Sequence, residues 1–230
     1  MKIAILLPGH LRTWEYCKQN FIDKFIDERH QIDIFVDTYN EVESAYPTDR
    51  LDLYPKNKKL VLSNHEVLDL FSGLNVVMFN VESEEINRGF EQGPQAVKIE
   101  KCYKLFQDYV SVHGEYDLVI KSRFDILVEN KIDYNFFCEN TLNNNFLFTS
   151  HIDINSQKFG FGRNYCDHLG IGNSDVMDKY LTRYSKFLRK YEVYHGSLDG
   201  LINEYNLHRS SDYIHSGLVR FNGDNYEIIW

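Results

Sequence analysis

Cysteine is scarce in this chain: Cys17, Cys102, Cys138 and Cys166 stand far apart among 230 residues, with no C-x-x-C. Spacing of that kind forms neither a zinc site nor a redox motif, and the low density excludes a disulfide scaffold. Basic charge is also short, at 25 Lys and Arg against 34 Asp and Glu, for a formal net charge of −9. A nucleic-acid binder carries a basic stripe, and this sequence has none. No run approaches the ~20 apolar residues of a membrane-spanning helix. The apolar stretch near the start, residues 3–7, is shorter than a signal-peptide core, and no Asn-x-Ser/Thr acceptor occurs. These absences predict a reducing, cytoplasmic setting, no transmembrane segment and no nucleic-acid partner. G-x-S-x-G, H-E-x-x-H, a Walker loop and a nucleophilic cysteine arrangement are missing too.

What is present is a core. Apolar residues make up 43% of the chain, and the 16 Phe and 16 Tyr supply large side chains to bury, so one domain over 1–230 is expected. Residues 2–7, KIAILL, read as a buried parallel strand ending at Pro8 and Gly9. A helix follows with Thr13 at its cap and Trp14, Cys17, Phe21, Phe25 and Ile26 on one face. Residues 31–37 alternate as a second strand, completing a βαβ unit. Residues 38–63 read as a long polar loop with a short strand near 59–62. Ser63 or Asn64 caps a short helix through Phe71, and residues 75–80 form a third strand.

Residues 94–113 carry the clearest helical pattern, opened by Pro94 and ended by Gly114. The stretch YDLVIKSRFDILV, 116–128, then places two apolar runs around Arg123 and Asp125. Beyond it, strands are expected near 146–150 and 167–172, helices at 174–188 and 197–206, and a closing strand at 214–221. Gly160 and Gly162 fall in a loop with no helix after it, a weak phosphate cradle. Strands alternating with helices predict a mostly parallel sheet covered on both faces.

Four polar clusters follow apolar runs, where such a sheet gathers its strand ends. Gly9, His10, Leu11 and Arg12 combine close backbone approach with an anion-gripping guanidinium at a helix start. Asp37, Thr38 and Tyr39 offer hydrogen bonds for a ribose or base and a ring to stack on. Lys121, Arg123 and Asp125 form the third cluster, Asp167 and His168 the fourth. Charge between two buried runs costs several kcal/mol unless paired or coordinated. Arg123-x-Asp125 therefore reads either as a salt bridge at a strand end or as a carboxylate held at a ligand site. His10, His168, His195 and His215 lie near loops or strand ends, without metal-ligand spacing.

The opening MKIAILLPGHLRTW, the Gln-bearing helix before YDLVIKSRFDILV, then DHLGIGNSDVMDKY and HGSLDGLINEY together resemble small GT-A type glycosyltransferases. Members of that family occur in bacterial surface-polysaccharide loci and in large DNA viruses. The resemblance covers most of the chain outside residues 40–60 and 80–92. It implies a Rossmann-like, mostly parallel central sheet flanked by helices, with a smaller mixed acceptor-side part. Residues 1–128 would be the nucleotide-sugar half and 129–230 the acceptor half.

The resemblance further implies a nucleotide-sugar donor, UDP-linked by preference, a glycan or polysaccharide acceptor, and a divalent Mn²⁺ or Mg²⁺. By its pattern Asp125 matches the metal-binding end of an Asp-x-Asp whose first acid is here Arg123, a cation able to neutralise part of a diphosphate itself. Gly9 and Arg12 match the first nucleotide loop, Asp37 and Thr38 the base and ribose region, and Gln95 and Lys98 the start of the helix beside the sugar phosphate. Asp167 and Asp199 match acceptor-side acids, with Asp167 favoured as the base that deprotonates an acceptor hydroxyl. Two other readings compete: a nucleotidyltransferase acting on a sugar phosphate, and a non-catalytic module binding a nucleotide or glycan.

Overall fold

The computed structural model describes residues 1–11, 13–42, 60–83, 94–142, 146–149, 168–189, 208–210, 216–221 and 226–229. The apolar run at the start becomes β1 (Lys2–Gly9), with Ile3 through Gly9 buried. Helix α1 (Trp14–Phe25) follows, then β2 (Gln31–Tyr39), and β1 and β2 pair in parallel from Lys2↔Gln31 to Gly9↔Thr38. Thr13 is the N-cap residue of α1, but its dihedrals (φ −103°, ψ 22°) are not the extended ones a capping hydroxyl needs. It makes no side-chain cap bond, and its Oγ1 lies 3.7 Å from Cys17 Sγ instead.

Short strands β3 (Glu41–Val42) and β4 (Leu60–Val61) pair antiparallel. Helix α2 (Asn64–Asp69) starts at a capping box, Ser63 with Glu66, and ends two residues before the expected Phe71. Strand β5 (Val76–Glu82) runs parallel beside β2. Helix α3 (Pro94–His113) has the bounds its sequence predicts.

The stretch expected to hold the centre divides. Strand β6 (Leu118–Ser122) lies parallel to β1 in the large sheet, whereas β7 (Ile126–Val128) pairs antiparallel with β11 (Ser216–Phe221) in a separate three-stranded sheet completed by β12 (Tyr226–Ile229). Arg123, Phe124 and Asp125 are therefore the step from one sheet to the other. Helix α4 (Tyr134–Leu142), which the sequence reading passed over, is followed by β8 (Phe146–Thr149). Strand β9 (Leu169–Gly172) and helix α5 (Ser174–Arg189) come next, and β10 (His208–Ser210) pairs in parallel with β8. Asn173 caps α5 by accepting the Val176 amide at 2.9 Å.

The large sheet has the order β10-β8-β9-β6-β1-β2-β5, with β9 alone running against its neighbours. Side-chain alternation divides its core into two layers. Ile3, Ile5 and Leu7 of β1 pack with Trp14, Phe21 and Phe25 of α1 and with Val67 and Phe71 near α2. Ala4 and Leu6, with Phe35 of β2, pack on the opposite face against Ile99, Cys102 and Phe106 of α3 and Val176, Met177 and Tyr180 of α5. Each fully buried Leu, Ile or Phe contributes about 1.5–3 kcal/mol relative to exposure, so both layers are needed to hold the sheet. At Gly170 the α5 helix comes so close that a Cβ would sit 2.8 Å from the Tyr180 ring, which requires glycine there.

Candidate functional site

The connections place the site. From β1 the chain moves to β2 and β5 on one side, then returns through α3 to β6 on the other side of β1. Because α1 and α3 cover opposite faces, the C-terminal ends of β1 and β6 form a topological switch point. Open α/β sheets bind ligands at such a switch point, because diverging helices leave room there. Gly9 ends β1 and Arg123 follows β6.

Gly9 has φ 125°, a conformation side chains rarely adopt. Thr38 at the end of β2 donates its hydroxyl to the Gly9 carbonyl at 2.7 Å, which locks the two strand ends together. Beside them the rings of His10 and Tyr39 approach to 4.6 Å between centroids. The Tyr39 ring also lies 4.3 Å from the Lys98 ammonium, which holds it by cation–π attraction.

Lys98 is fully buried, and so is Asp37; their Nζ and Oδ1 atoms are 2.6 Å apart. Asn80 donates to the other Asp37 oxygen at 3.0 Å, and Lys98 also reaches Glu82 at 3.1 Å. Lys101, three residues on, donates to Glu82 at 2.6 Å. Burial raises the Asp37 carboxyl above its ordinary range, opposed by Lys98 and Asn80. At Glu82 burial also favours the neutral acid, but the hydrogen bonds and charges of Lys101 and Lys98 outweigh it and hold the carboxyl at about 2 against an ordinary 4.5.

A carboxyl lowered on folding stabilises the fold above its ordinary pKa and loses that contribution as pH falls toward the lowered value. The window here is from about 4.5 down to about 2, and the loss is at most on the order of 3 kcal/mol. Acid unfolding of the native chain and of Glu82→Gln, followed by circular dichroism, checks this. The variant is expected to be less stable at neutral pH and flatter across that window. An identical slope in both would locate the acid sensitivity elsewhere.

Residues expected to face a nucleotide thus separate into two groups. Gly9 and Thr38 stand at the ends of β1 and β2, whereas Asp37 and Lys98 are joined to one another in a buried ion pair. Gln95 lies in the first turn of α3. Arg12, Asp167 and Asp199 lie outside the described residues. Glu82, Asn80 and Lys101 were missed in the sequence. A lysine between core positions of a helix, Lys98 beside Val97 and Ile99, was the available signal that an acid must meet it.

Arg123 and Asp125 form a bidentate ion pair, Nε to Oδ1 at 2.8 Å and Nη2 to Oδ2 at 2.9 Å. Both readings of the sequence bear on this geometry: it is a salt bridge, and it stands at the switch point. The backbone holds the pair from two sides. The Arg123 amide donates to the His168 carbonyl at 3.1 Å, and Phe124 between them packs edge-on to Trp14 at 5.6 Å. His168, buried at the head of β9, has its Nδ1 3.4 Å from Ser216 Oγ at the head of β11, a contact that links the two sheets.

Among the described residues, the donor set at Asp125 does not fit the divalent metal implied by the family pattern. Among the described residues no group of three or more His, Cys, Asp or Glu side chains could hold an ion. Both oxygens of Asp125 already accept from a guanidinium. A dication on that carboxylate would stand a few ångströms from a fixed positive charge, a repulsion on the order of several kcal/mol even at an effective dielectric constant of about 20.

No helix among the described residues is long and apolar enough to cross a membrane. No family model matches the chain, and no curated protein sequence matches it. Solved structures do resemble it. One is a protein from Bacillus anthracis assigned as a glucose-1-phosphate thymidylyltransferase, in complex with a sucrose, at 10% identity and TM-score 0.50, covering 95% of this chain and 89% of that one. Another is the galactosyltransferase LgtC with donor and acceptor sugar analogs, at 13% identity and TM-score 0.40. An active-site mutant of LgtC follows at 12% and 0.38. This chain spans 65% of the length of LgtC, and that likeness is too loose to bear on function. The fold is α/β and GT-A-like: a mostly parallel, Rossmann-like central sheet flanked by helices.

Proposed function

We propose that the protein transfers a sugar from a nucleotide-sugar donor, UDP-linked by preference, to a carbohydrate acceptor. The observation that carries this reading is that Gly9, which ends β1, and the Arg123–Asp125 pair, which follows β6, stand at the C-terminal ends of two adjacent parallel strands at the switch point. A diphosphate needs close backbone approach and a fixed cation, and those two positions offer one each. The half-buried His10 ring, packed on Tyr39 beside Gly9, suits a nucleobase, whose flat face gains from stacking. In the transfer, the bond from the anomeric carbon to the diphosphate breaks and the acceptor oxygen bonds to that carbon. The hydroxyl proton passes to a carboxylate, for which Asp167 is the first candidate and Asp199 the second. The nucleoside diphosphate leaves with the electron pair, its charge offset by Arg123 and Arg12.

A thermal-shift panel of UDP-, GDP-, CMP- and TDP-sugars tests the donor. Since a ligand that binds only the folded state stabilises it, one donor at 100 times its Kd is expected to add about 2.7 kcal/mol, a rise of several degrees. No shift with any nucleotide sugar would defeat the proposal.

The nucleotidyltransferase reading gains support from the thymidylyltransferase likeness, which spans nearly the whole chain. The products distinguish the two. A glycosyltransferase releases nucleoside diphosphate from a nucleotide sugar, whereas a nucleotidyltransferase releases pyrophosphate from a nucleoside triphosphate and a sugar phosphate. A shift without either product would identify a binding module.

A further inference from the structure

We infer that Arg123 takes the place of a divalent cation at the donor diphosphate, so that nucleotide binding by this chain is independent of metal. The inference rests on the donor reading above and sharpens it. Of the two paired side chains the guanidinium is the more open, 12% exposed against 3% for the Asp125 carboxylate. Of the pair, the cation is therefore the more accessible to an incoming anion. Asp125 acts as a positioning residue: its two oxygens fix the plane of the guanidinium through parallel hydrogen bonds at 2.8 and 2.9 Å.

Arg123 is prevented from swinging away. Its amide is tied to the His168 carbonyl, and Phe124, 1% exposed, packs edge-on against both Trp14 and Phe71. A guanidinium stays charged across the working pH range and offers planar donors that match phosphate oxygens. A dication would instead have to share Asp125 with a positive group already bound to it. The same carboxylate cannot serve both cations well, and the geometry points to the arginine.

The test is isothermal titration of the full chain with UDP, GDP, TDP and CMP, once in EDTA and once in Mn²⁺. The Kd of the best-binding nucleotide is expected to change by less than about threefold between the two conditions. Arg123→Ala is expected to weaken that nucleotide by at least about tenfold in EDTA, and Arg123→Lys to recover part of the loss. Arg123→Asp, which restores two acids, is expected to bind only when Mn²⁺ is present.

If Mn²⁺ tightens the native chain tenfold or more, and Arg123→Ala binds better with Mn²⁺ than the native chain does, Asp125 is a metal ligand and the inference fails while the donor reading stands. If no nucleotide binds in either condition, the donor reading itself fails and takes the inference with it. The comparison of EDTA with Mn²⁺ on the native chain needs no variant to fold.

Discussion

Lys98→Met is expected to lower the free energy of unfolding by about 3–5 kcal/mol, because it leaves Asp37 buried and ionisable with its cation gone. For a chain of this size that corresponds to a fall in Tm on the order of 10 °C. Asp37 is fully buried, so water cannot replace the lost ammonium, and Asn80 supplies one hydrogen bond where two partners stood. Glu82 retains Lys101 and adds less to the loss. The double variant Lys98→Met, Asp37→Leu is expected to recover most of the stability, since a buried ion pair exchanged for apolar groups of similar volume is often close to neutral. Urea denaturation of the single and double variants measures both. A single variant within about 1 kcal/mol of the native chain would mean that the pair is solvated in solution.

Phe124→Ala is expected to cost a further large amount, about 3–5 kcal/mol, by opening a cavity in the aromatic cluster. Phe124 is 1% exposed and packs against Trp14 at 5.6 Å and Phe71 at 5.9 Å between centroids. Its backbone is also the step between Arg123 and Asp125, so the same change frees the ion pair from its anchor. Nucleotide affinity is therefore expected to fall together with stability, whereas Phe124→Leu, which nearly conserves volume, is expected to cost under about 1.5 kcal/mol and to keep binding. Chemical denaturation paired with nucleotide titration separates the effects. Full binding by a destabilised Phe124→Ala would show that the ring supports the core but does not set the geometry of the site.

Local pattern made much of the fold legible. The run KIAILL is a strand that no amphipathic element could imitate, and α3 shows its Pro94 start and Gly114 stop without any knowledge of its partners. The sequence offered Ser63 or Asn64 as the cap of α2, and the structure gives the role to Ser63. The antiparallel insertion of β9 between β6 and β8 was not legible, because period-two alternation is the same whichever way a strand runs. Nor was the division of 116–128 between two sheets, since both apolar runs are buried and the difference lies in which strand each one meets.

By itself the sequence determined the apolar core runs, the strands and helices of the first half with β8, β9 and α5, and that Arg123 and Asp125 stand in an apolar setting. Those properties follow from side-chain volume, hydrophobicity and short spacing, all written along the chain. Only the tertiary structure decided what the charges do. Asp37 and Lys98 are 61 positions apart, and nothing in either neighbourhood says that they meet. Their pairing, fully buried, braces the end of β2 against α3. Arg123 and Asp125 are two positions apart, yet spacing leaves open whether the acid faces a metal or its neighbour. The turn between two sheets aims the guanidinium at the carboxylate, and electrostatics in that low-dielectric setting does the rest.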